Sequence, residues 1–222
     1  MSSALVVGAG PGLGLSLARR FGSEGLTPTL VVRDDTSLVQ LAADLAADDI
    51  QATGAPGDIA NEEVLRLAIQ ECIAKAGPVD VAIFNASEFV EGPPSTVDVA
   101  AFEHGLRVGL IGALVMIQEV AAGMAERGAG TILITGSAAG LKPWVAGTAL
   151  SVQKAAVRML GLAAAAELKS QGIHVAVITV NGMIKQGTPF DADSIAEAFW
   201  QVHAQSPDQW ESDVIFNGAN VQ

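Results

Sequence analysis

The chain lacks tyrosine altogether and has a single cysteine, Cys72, in its 222 residues. A lone cysteine excludes a disulfide or a cysteine-based metal site within the chain, and we expect Cys72 to pack inside a helix. Positive charge is also scarce, because 12 Lys and Arg face 24 Asp and Glu and give a net charge of −12. This charge argues against a nucleic-acid backbone or an anionic membrane as a partner.

Long hydrophobic runs are missing as well. The longest run, residues 108–117, is too short to span a bilayer and predicts a buried helix. The first expected strand begins almost at Met1, which leaves no room for a signal segment, so a cytoplasmic protein is expected. His104, His174 and His203 are the only histidines and fall on separate predicted elements, so no metal site is predicted.

The sequence does contain a regular alternation of strand-like and helix-like segments. It predicts one α/β domain over residues 1–222, a Rossmann-like, doubly wound parallel sheet of about seven strands with helices on both faces. The expected strands are Ala4–Val7, Thr29–Val32, Gln51–Thr53, Val79–Phe84, Thr131–Thr135, His174–Val180 and Val214–Phe216. The expected helices are 14–24, 36–48, 61–75, 97–126, 147–170 and 192–204.

The first expected strand runs directly into a glycine-rich turn. The residues of this turn are Gly8, Ala9, Gly10, Pro11, Gly12, Leu13 and Gly14. Such a turn brings backbone N–H groups close to a pyrophosphate at the start of a helix, where the partial positive charge favours an anion. For a glycine cluster taken alone, a tight turn without a ligand is the alternative interpretation.

Further motifs follow this turn in a consistent order. They are Gly57-Asp58-Ile59, Phe84-Asn85-Ala86-Ser87, the segment 130–140 that includes Ser137, and Lys154-Ala155-Ala156-Val157. Together with the glycine spacing, these motifs resemble the short-chain dehydrogenase/reductase family over residues 4 to about 180. The resemblance implies an oxidoreductase that uses a nicotinamide cofactor.

The resemblance also implies roles for individual residues. Ser137 and Lys154 fall on two active-site positions of the family, and Lys154 would also hold the nicotinamide ribose. Asp58 falls where the family hydrogen-bonds the adenine ring. The remaining implied cofactor contacts are Gly8, Gly10, Pro11, Gly12, Leu13, Gly14, Ile59, Asn85, Ala86, Ser87, Gly182 and Ile184. Without the resemblance, Ser137 would be interpreted as a turn serine and Lys154 as a solvated helix lysine.

Two active-site positions of the family have changed here. Leu150 occupies the position of the tyrosine that protonates the alkoxide, and Gly109 occupies that of the asparagine. A leucine cannot donate a proton, so we expect slow or absent reduction of simple ketones and aldehydes. A water held by Lys154 and Ser137, or the neighbouring Ser151, could restore part of the rate. The short segment after Gly182 predicts a small or open substrate pocket.

The end of the second expected strand bears on the choice of cofactor. Val32 occupies the position at which family members that prefer NAD carry an acid. Arg33 follows, as in members that hold the 2′-phosphate of NADP, so NADP(H) is expected and NAD(H) is less favoured. The alternative is an arginine that meets only solvent and is partly neutralised by Asp34.

These features support two main functional hypotheses. The first is an NADP-dependent oxidoreductase that acts on a small carbonyl or alcohol of unknown identity, and the second is a catalytically silent NADP(H)-binding sensor or scaffold. A sugar-nucleotide or non-redox enzyme on the same fold has no sequence feature of its own. The apolar helices 97–126 and 147–170, with the run of alanines at 163–166, predict a homodimer or homotetramer.

Overall fold

Seven parallel strands form one sheet in the computed structural model, which describes residues 2–218. The strands are β1 (Ser3–Val7), β2 (Thr27–Val32), β3 (Thr53–Pro56), β4 (Val79–Phe84), β5 (Gly130–Ser137), β6 (Ile173–Val180) and β7 (Asp213–Phe216). The helices are α1 (Leu13–Ser23), α2 (Asp35–Ala46), α3 (Glu62–Ala76), α4 (Val99–Leu106), α5 (Gly112–Arg127), α6 (Thr148–Leu168) and α7 (Ala192–His203). The strand order is β3-β2-β1-β4-β5-β6-β7.

Each face of the sheet is covered by its own set of helices. Alternate residues of a strand point to opposite faces, so Leu5 and Phe84 pack with α3, α5 and α6, whereas Val6 and Ile83 pack with α1, α2 and α7. The expected doubly wound α/β architecture is therefore confirmed. Cys72 is buried in α3 as expected, and burial raises the pKa of its thiol to about 12.

Strand β3 differs from its prediction. It spans Thr53–Pro56 rather than Gln51–Thr53, so only Thr53 is shared. The strand contains Gly54, where a Cβ would overlap the carbonyl oxygen of Leu30 on β2. Close approach of the two backbones therefore selects a glycine, a residue type that strand propensities disfavour, and the prediction missed the strand for that reason.

The predicted helix 97–126 is not one regular α-helix. A five-residue π-helical segment, Arg107–Ile111, separates α4 from α5. This segment contains Gly109, and α5 begins at Gly112, where a Cβ would lie 2.5 Å from Ile59 Cγ2. The wider π turn lies beside the cleft described below, and such insertions are frequent at functional sites.

The helical stretch Val99–Arg127 is also long and apolar enough to cross a membrane, judged by length and composition alone. It is longer than the apolar run 108–117 on which the expectation of a buried helix was based. Its residues Ala113, Met116 and Met124 are fully buried in the core against the sheet. A core helix of a water-soluble protein meets the same criterion of length and composition.

The carboxyl ends of the strands lie along one edge of the sheet, because all the strands run parallel. The strand order reverses between β1 and β4, and a ligand crevice forms at such a reversal. Backbone hydrogen bonds hold the loops there: Gly8 N and Ala9 N donate to Val31 O over 3.1 and 3.2 Å, and Asn85 N donates to Val7 O over 2.9 Å. The glycine turn is thereby fixed between its two neighbouring strands.

Candidate functional site

Two glycines of the turn after β1 are required by close packing. Gly8 has a φ of +83°, and a Cβ there would lie 2.8 Å from Ala86 N. A Cβ at Gly14 would lie 2.8 Å from Ala9 Cα. Both contacts involve backbone atoms that cannot move aside, so these glycines bring the turn against the start of α1 and against the loop after β4.

Two further glycines of the same turn have a different environment. A Cβ at Gly10 or at Gly12 would meet no heavy atom within 4 Å, so both face open space. Pro11 and Gly12 are exposed, whereas Leu13 begins α1 and is buried. No side chain in the described part of the chain caps the N-terminus of α1. An open glycine turn beside an uncapped helix N-terminus fits the pyrophosphate of a dinucleotide.

A cleft of about 610 Å³ extends from this turn across the ends of β2, β3 and β4. Its volume falls within the usual range for a small-molecule site. It brings together seven of the predicted cofactor contacts, namely Gly8, Arg33, Asp58, Ile59, Asn85, Ala86 and Ser87. It is also lined by Ala9, Val31, Val32, Gly57, Glu88, His104 and Val108. We call it the nucleotide cleft.

Arg33 lies in the wall of the nucleotide cleft and is exposed. Within residues 2–218 it forms no ion pair. The carboxylate of the adjacent Asp34 instead accepts a hydrogen bond of 2.8 Å from Ser37 N and caps α2. That bond lowers the pKa of Asp34, with a smaller contribution from the charge of Arg33. The guanidinium therefore remains available to an anion.

A second cavity, of about 240 Å³, lies next to the nucleotide cleft and shares Asn85 and Ser87 with it. It brings together Ser137, Leu150 and Lys154, as the spacing of the family predicts. Its other lining residues are Leu13, Thr135, Gly136, Val180, Gly182 and Ile184. We call it the catalytic cavity. Gly10, Pro11, Gly12 and Gly14 line neither cavity, although they form the turn between the two.

Lys154 is a buried lysine with only 5% of its surface exposed. Its Nζ donates a 2.7 Å hydrogen bond to the carbonyl oxygen of Thr135 at the end of β5. Burial disfavours the charged form and lowers the pKa of the ammonium to about 8. The interpretation of Lys154 as a solvated helix lysine is therefore wrong.

A chain of hydrogen bonds connects the region around Lys154 to the glycine turn. The Thr135 hydroxyl donates to Asn85 Oδ1 over 2.9 Å, and Asn85 Nδ2 donates to the carbonyl oxygen of Gly8 over 3.3 Å. The loops after β1, β4 and β5 are thus linked by side chains as well as by backbone. The sequence interpretation did not single out Thr135, although its place at the end of a predicted strand offered a signal.

Ser137 and Ser151 differ in what their hydroxyl groups contact. Ser137 Oγ accepts a 3.2 Å bond from Ala139 N, so it stabilises its own turn while its proton stays free to donate. Ser151 Oγ accepts a 3.0 Å bond from Trp144 N and does not line the catalytic cavity. Ser151 therefore lies outside the cavity that Ser137 lines, and the structure gives no support to a role for it there.

The space beside Gly109 is filled from another helix. A Cβ at Gly109 would overlap Gln153 Oε1, so the amide of Gln153 occupies the space beside the π-helical segment. Gln153 is fully buried, accepts from Glu88 N over 3.2 Å and donates to Glu88 O over 2.9 Å. It thereby fixes the loop after β4 to α6. The sequence analysis did not identify Gln153, because no local motif predicts a hydrogen bond to Glu88, which lies 65 residues away in the sequence.

The loops after β4 and β5 contact each other through aromatic side chains. The rings of Phe89 and Trp144 stack with centroids 5.1 Å apart and are about half exposed. They join the loop after β4 to the loop after β5, which also contact through Gly92 and Gly147. Further exposed apolar side chains on the surrounding loops are Leu141, Val145, Met183 and Ile184.

Comparison with known sequences agrees with this architecture. The sequence profile described as short chain dehydrogenase matches residues 2–197. The ketoacyl reductase HetN of Nostoc sp. is 28% identical over 187 residues, which make up 84% of this chain and 65% of that protein. The chain thus spans slightly less than two thirds of the length of this relative.

Solved structures match the fold over nearly its whole length. A short-chain dehydrogenase from Rhodopseudomonas palustris has a TM-score of 0.88 at 26% identity, over 98% of this chain and 99% of that one. A metagenomic short-chain oxidoreductase in complex with NADP has a TM-score of 0.90 at 24% identity, over 98% and 97%. NAD⁺-bound xylitol dehydrogenase has a TM-score of 0.89 at 21% identity, over 98% and 98%.

Proposed function

The chain belongs to the short-chain dehydrogenase family, and from this membership we propose that it is an NADP(H)-dependent oxidoreductase of small carbonyls or alcohols with an altered active site. The observation that carries the proposal is the joining of the nucleotide cleft to a cavity that holds both Ser137 and Lys154. A cofactor in the cleft would thus have polar side chains beside it for a reacting oxygen. Similarity to a ketoacyl reductase supports a carbonyl substrate.

Arg33 supports the preference for NADP(H) over NAD(H). The solved relatives include one complex with NADP and one with NAD⁺, so the choice depends on residues of this chain. Val32 is buried and carries no charge, and Arg33 lines the cleft with its guanidinium available. An arginine matches the geometry and charge of a phosphate, whereas an acid would repel it.

The proposed reaction assigns a separate role to each residue of the catalytic cavity. The bound cofactor supplies or accepts a hydride. Ser137 can donate its hydroxyl proton in a hydrogen bond to the substrate oxygen, and Lys154 provides a positive charge beside it. Leu150, at the position of the phenol, contributes neither a proton nor a charge. General acid catalysis is typically worth about 10² to 10⁴ in rate, so slow turnover is expected.

The shape of the catalytic cavity supports a small apolar substrate. Its volume is about 240 Å³, and the apolar side chains in its lining are Leu13, Leu150, Val180 and Ile184. Residues 181–191 between β6 and α7 form a short loop that is mostly exposed, so the mouth stays open. We therefore place small aliphatic and aromatic ketones and aldehydes first among the candidates.

Titration with NADPH and NADH tests the cofactor assignment. The wild-type protein should bind NADPH more tightly, and Arg33→Ala should reduce that preference by about tenfold to a hundredfold, the range expected for a hydrogen bond to a charged group. Lys169→Ala is a matched control, because Lys169 lies at the opposite edge of the sheet. Equal affinities for the two cofactors, or an unchanged preference in Arg33→Ala, would contradict the assignment.

Replacement of the proton donor by Leu150 favours a second candidate, a catalytically silent NADP(H)-binding sensor or scaffold. The two functions differ in turnover and agree in cofactor binding. A panel of small carbonyls with NADPH separates them: measurable oxidation of NADPH supports the enzyme. Binding without turnover of any carbonyl, together with no oxidation of the corresponding alcohols, supports the sensor.

Two further properties belong to the same proposal. We place the protein in the cytoplasm, since members of the family are typically soluble proteins. We also propose a homodimer or homotetramer, because exposed apolar side chains such as Val99 on α4 and Val152 and Met159 on α6 lie on the helices predicted to pair. A monomer in light scattering at micromolar concentration would contradict the oligomer.

A further inference from the structure

Among the described residues 2–218, Lys154 is the only titratable side chain that lines the catalytic cavity. The other polar groups there are the hydroxyls of Ser87, Thr135 and Ser137 and the amide of Asn85. The Thr135 hydroxyl is committed to Asn85, and Ser137 accepts a bond within its own turn. A proton that leaves the protein near pH 7 inside this cavity must therefore come from Lys154.

The ammonium group of Lys154 is held by one neutral acceptor. Nζ donates to the Thr135 carbonyl oxygen and forms no ion pair within residues 2–218, so further N–H bonds remain for a ligand. An ammonium that is buried without a counter-ion gives up its proton more readily than an exposed one.

Other charged groups do not reverse this effect. The charged or titratable residues on the elements that pack against α6 are Glu103, His104, Arg107, Glu119, Glu126, Arg127, Lys169 and His174. On α6 itself they are Arg158 and Glu167. None of them contributes to the shift in the pKa of Lys154, which burial alone lowers to about 8.

We propose that Lys154 itself gives the proton to the substrate oxygen, in place of the phenol that Leu150 has replaced. This assignment rests on the proposed oxidoreductase function. Leu150 lies four residues before Lys154 and therefore on the same face of α6, and both side chains line the cavity. The shorter leucine leaves the space between the ammonium and the substrate without an intervening side-chain donor.

The step balances without a further reactant. As a hydride reaches the carbonyl carbon, the π electrons of the C=O bond move to the oxygen, which takes a proton from Nζ. The N–H bond breaks, its electron pair stays on nitrogen, and the neutral amine regains a proton from water after the alcohol leaves. Ser137 holds the oxygen by a hydrogen bond. In alcohol oxidation the neutral amine accepts the proton instead.

The pH dependence of reduction follows from this role. Reduction requires the ammonium form, so the rate should be greatest below the pKa of Lys154 and fall as the pH rises through about 8. Oxidation of the alcohol requires the neutral amine and should rise over the same interval. The rate of reduction should therefore fall, and the rate of oxidation rise, with the same midpoint pH. This behaviour is expected when a single acid–base group serves both reactions.

The experiment combines NMR of the cofactor-free protein with kinetics. The chain has five lysines, so isotope-labelled lysine gives few signals, and the one that disappears in Lys154→Arg belongs to Lys154. We expect its titration midpoint near 8, against roughly 10.4 for an exposed lysine. In the wild-type protein the alkaline limb of NADPH-dependent reduction should have the same midpoint.

Two variants separate proton transfer from positive charge. Lys154→Arg keeps a charge but does not release a proton in the accessible range, so at saturating NADPH it should lose about a hundredfold or more in kcat and show no alkaline limb. Lys154→Met should lose at least as much. Lys142→Met is the control, because this exposed lysine lies outside the cavity and should leave the pH profile unchanged.

The outcomes distinguish this assignment from the proposed function. Turnover without an alkaline limb near the NMR midpoint, a midpoint near that of an exposed lysine, or full turnover in Lys154→Arg would overturn the role of Lys154 alone. NADPH binding without turnover at any pH would overturn the oxidoreductase function and this role together. Matching midpoints with loss of turnover in Lys154→Arg would support both.

Discussion

The nucleotide cleft and the catalytic cavity share an edge of the sheet and two lining residues, yet they differ in how far each depends on backbone and on side chains. The cleft depends mainly on backbone: a glycine turn, an uncapped helix N-terminus and strand ends. The cavity depends on side chains, chiefly Ser137, Leu150 and Lys154. A substitution at a closely packed glycine such as Gly14 is expected to disturb the fold, whereas one at a cavity side chain such as Leu150 is expected to leave the backbone intact. Cofactor binding can therefore outlast the loss of a catalytic side chain.

Gln153 supports the loop that the two cavities share. Its buried amide occupies the space beside Gly109 and bonds to both the N–H and the C=O of Glu88. The loop after β4, which both cavities share, is held in this way. A buried side chain from another helix therefore supports the lining that the two cavities share.

The largest effect should come from the glycines that the cleft requires. In Gly14→Ala the new Cβ would lie 2.8 Å from Ala9 Cα, and we expect a loss of about 1–3 kcal/mol in the free energy of unfolding. NADPH affinity should fall with it by roughly tenfold to a hundredfold. Thermal denaturation and cofactor titration measure the two losses.

Gly10→Ala is the matched control for the same turn. A Cβ at Gly10 meets no heavy atom of the protein within 4 Å, so stability should change by less than about 0.5 kcal/mol. Its effect should be confined to cofactor affinity, because the turn approaches the pyrophosphate there. Wild-type NADPH affinity in Gly10→Ala would show that the cofactor does not use this turn, and the comparison between the two cavities would fail.

Placing a tyrosine at position 150 tests the role of the catalytic cavity in proton transfer. Leu150→Tyr should raise turnover of at least one small carbonyl by about tenfold or more, since the new hydroxyl lies beside Ser137 and Lys154. Leu150→Phe supplies the same ring without a proton and should give no gain. An equal gain in both variants would attribute the effect to packing, and no gain with NADPH still bound would favour the sensor.

Restoring the asparagine should be harmful by itself. In Gly109→Asn the new Cβ would overlap Gln153 Oε1, so we expect about 1–3 kcal/mol of destabilisation. Adding Gln153→Ala makes room and should recover part of that loss, which a double-mutant cycle in thermal denaturation would show as a favourable coupling. Additive losses would mean that the two positions do not share this space.

The features that could be predicted from the sequence are local ones. The glycine turn, the strand ends, Arg33 and the spacing from Leu150 to Lys154 each lie within one segment. In the structure Arg33 lines the nucleotide cleft, and Leu150 and Lys154 line the catalytic cavity. The altered catalytic roles remain predictions. The hydrogen bonds between the Gln153 amide and the Glu88 backbone could not be predicted, because they join residues on separate elements that only the folded chain brings together.

Strand β3 and the π-helical segment were missed for a related reason. Gly54 is selected by the backbone of β2 rather than by its own propensity, and the wide turn at Arg107–Ile111 interrupts an apolar pattern that otherwise predicts a regular helix. At Gly54 a tertiary contact with the backbone of β2 selects the residue. Propensity and periodicity describe only the isolated segment.

The smallest effect is expected far from both cavities, where His174 and His203 lie near the opposite edge of the sheet. Burial lowers the pKa of both rings, and His174 Nδ1 has no hydrogen-bond partner within residues 2–218. A lowered pKa means that the fold favours the neutral ring, so its stability is complete above the ordinary pKa of about 6.5 and falls as the pH drops below it. Thermal denaturation of the cofactor-free protein should show that the melting temperature decreases by a few degrees on mild acidification.

Two histidine variants test this assignment. His174→Phe keeps the aromatic stacking on Trp210 and should reduce the decrease in melting temperature, whereas His104→Phe, at an exposed position, should not. Equal acid sensitivity in the wild type and His174→Phe would move the effect to another group.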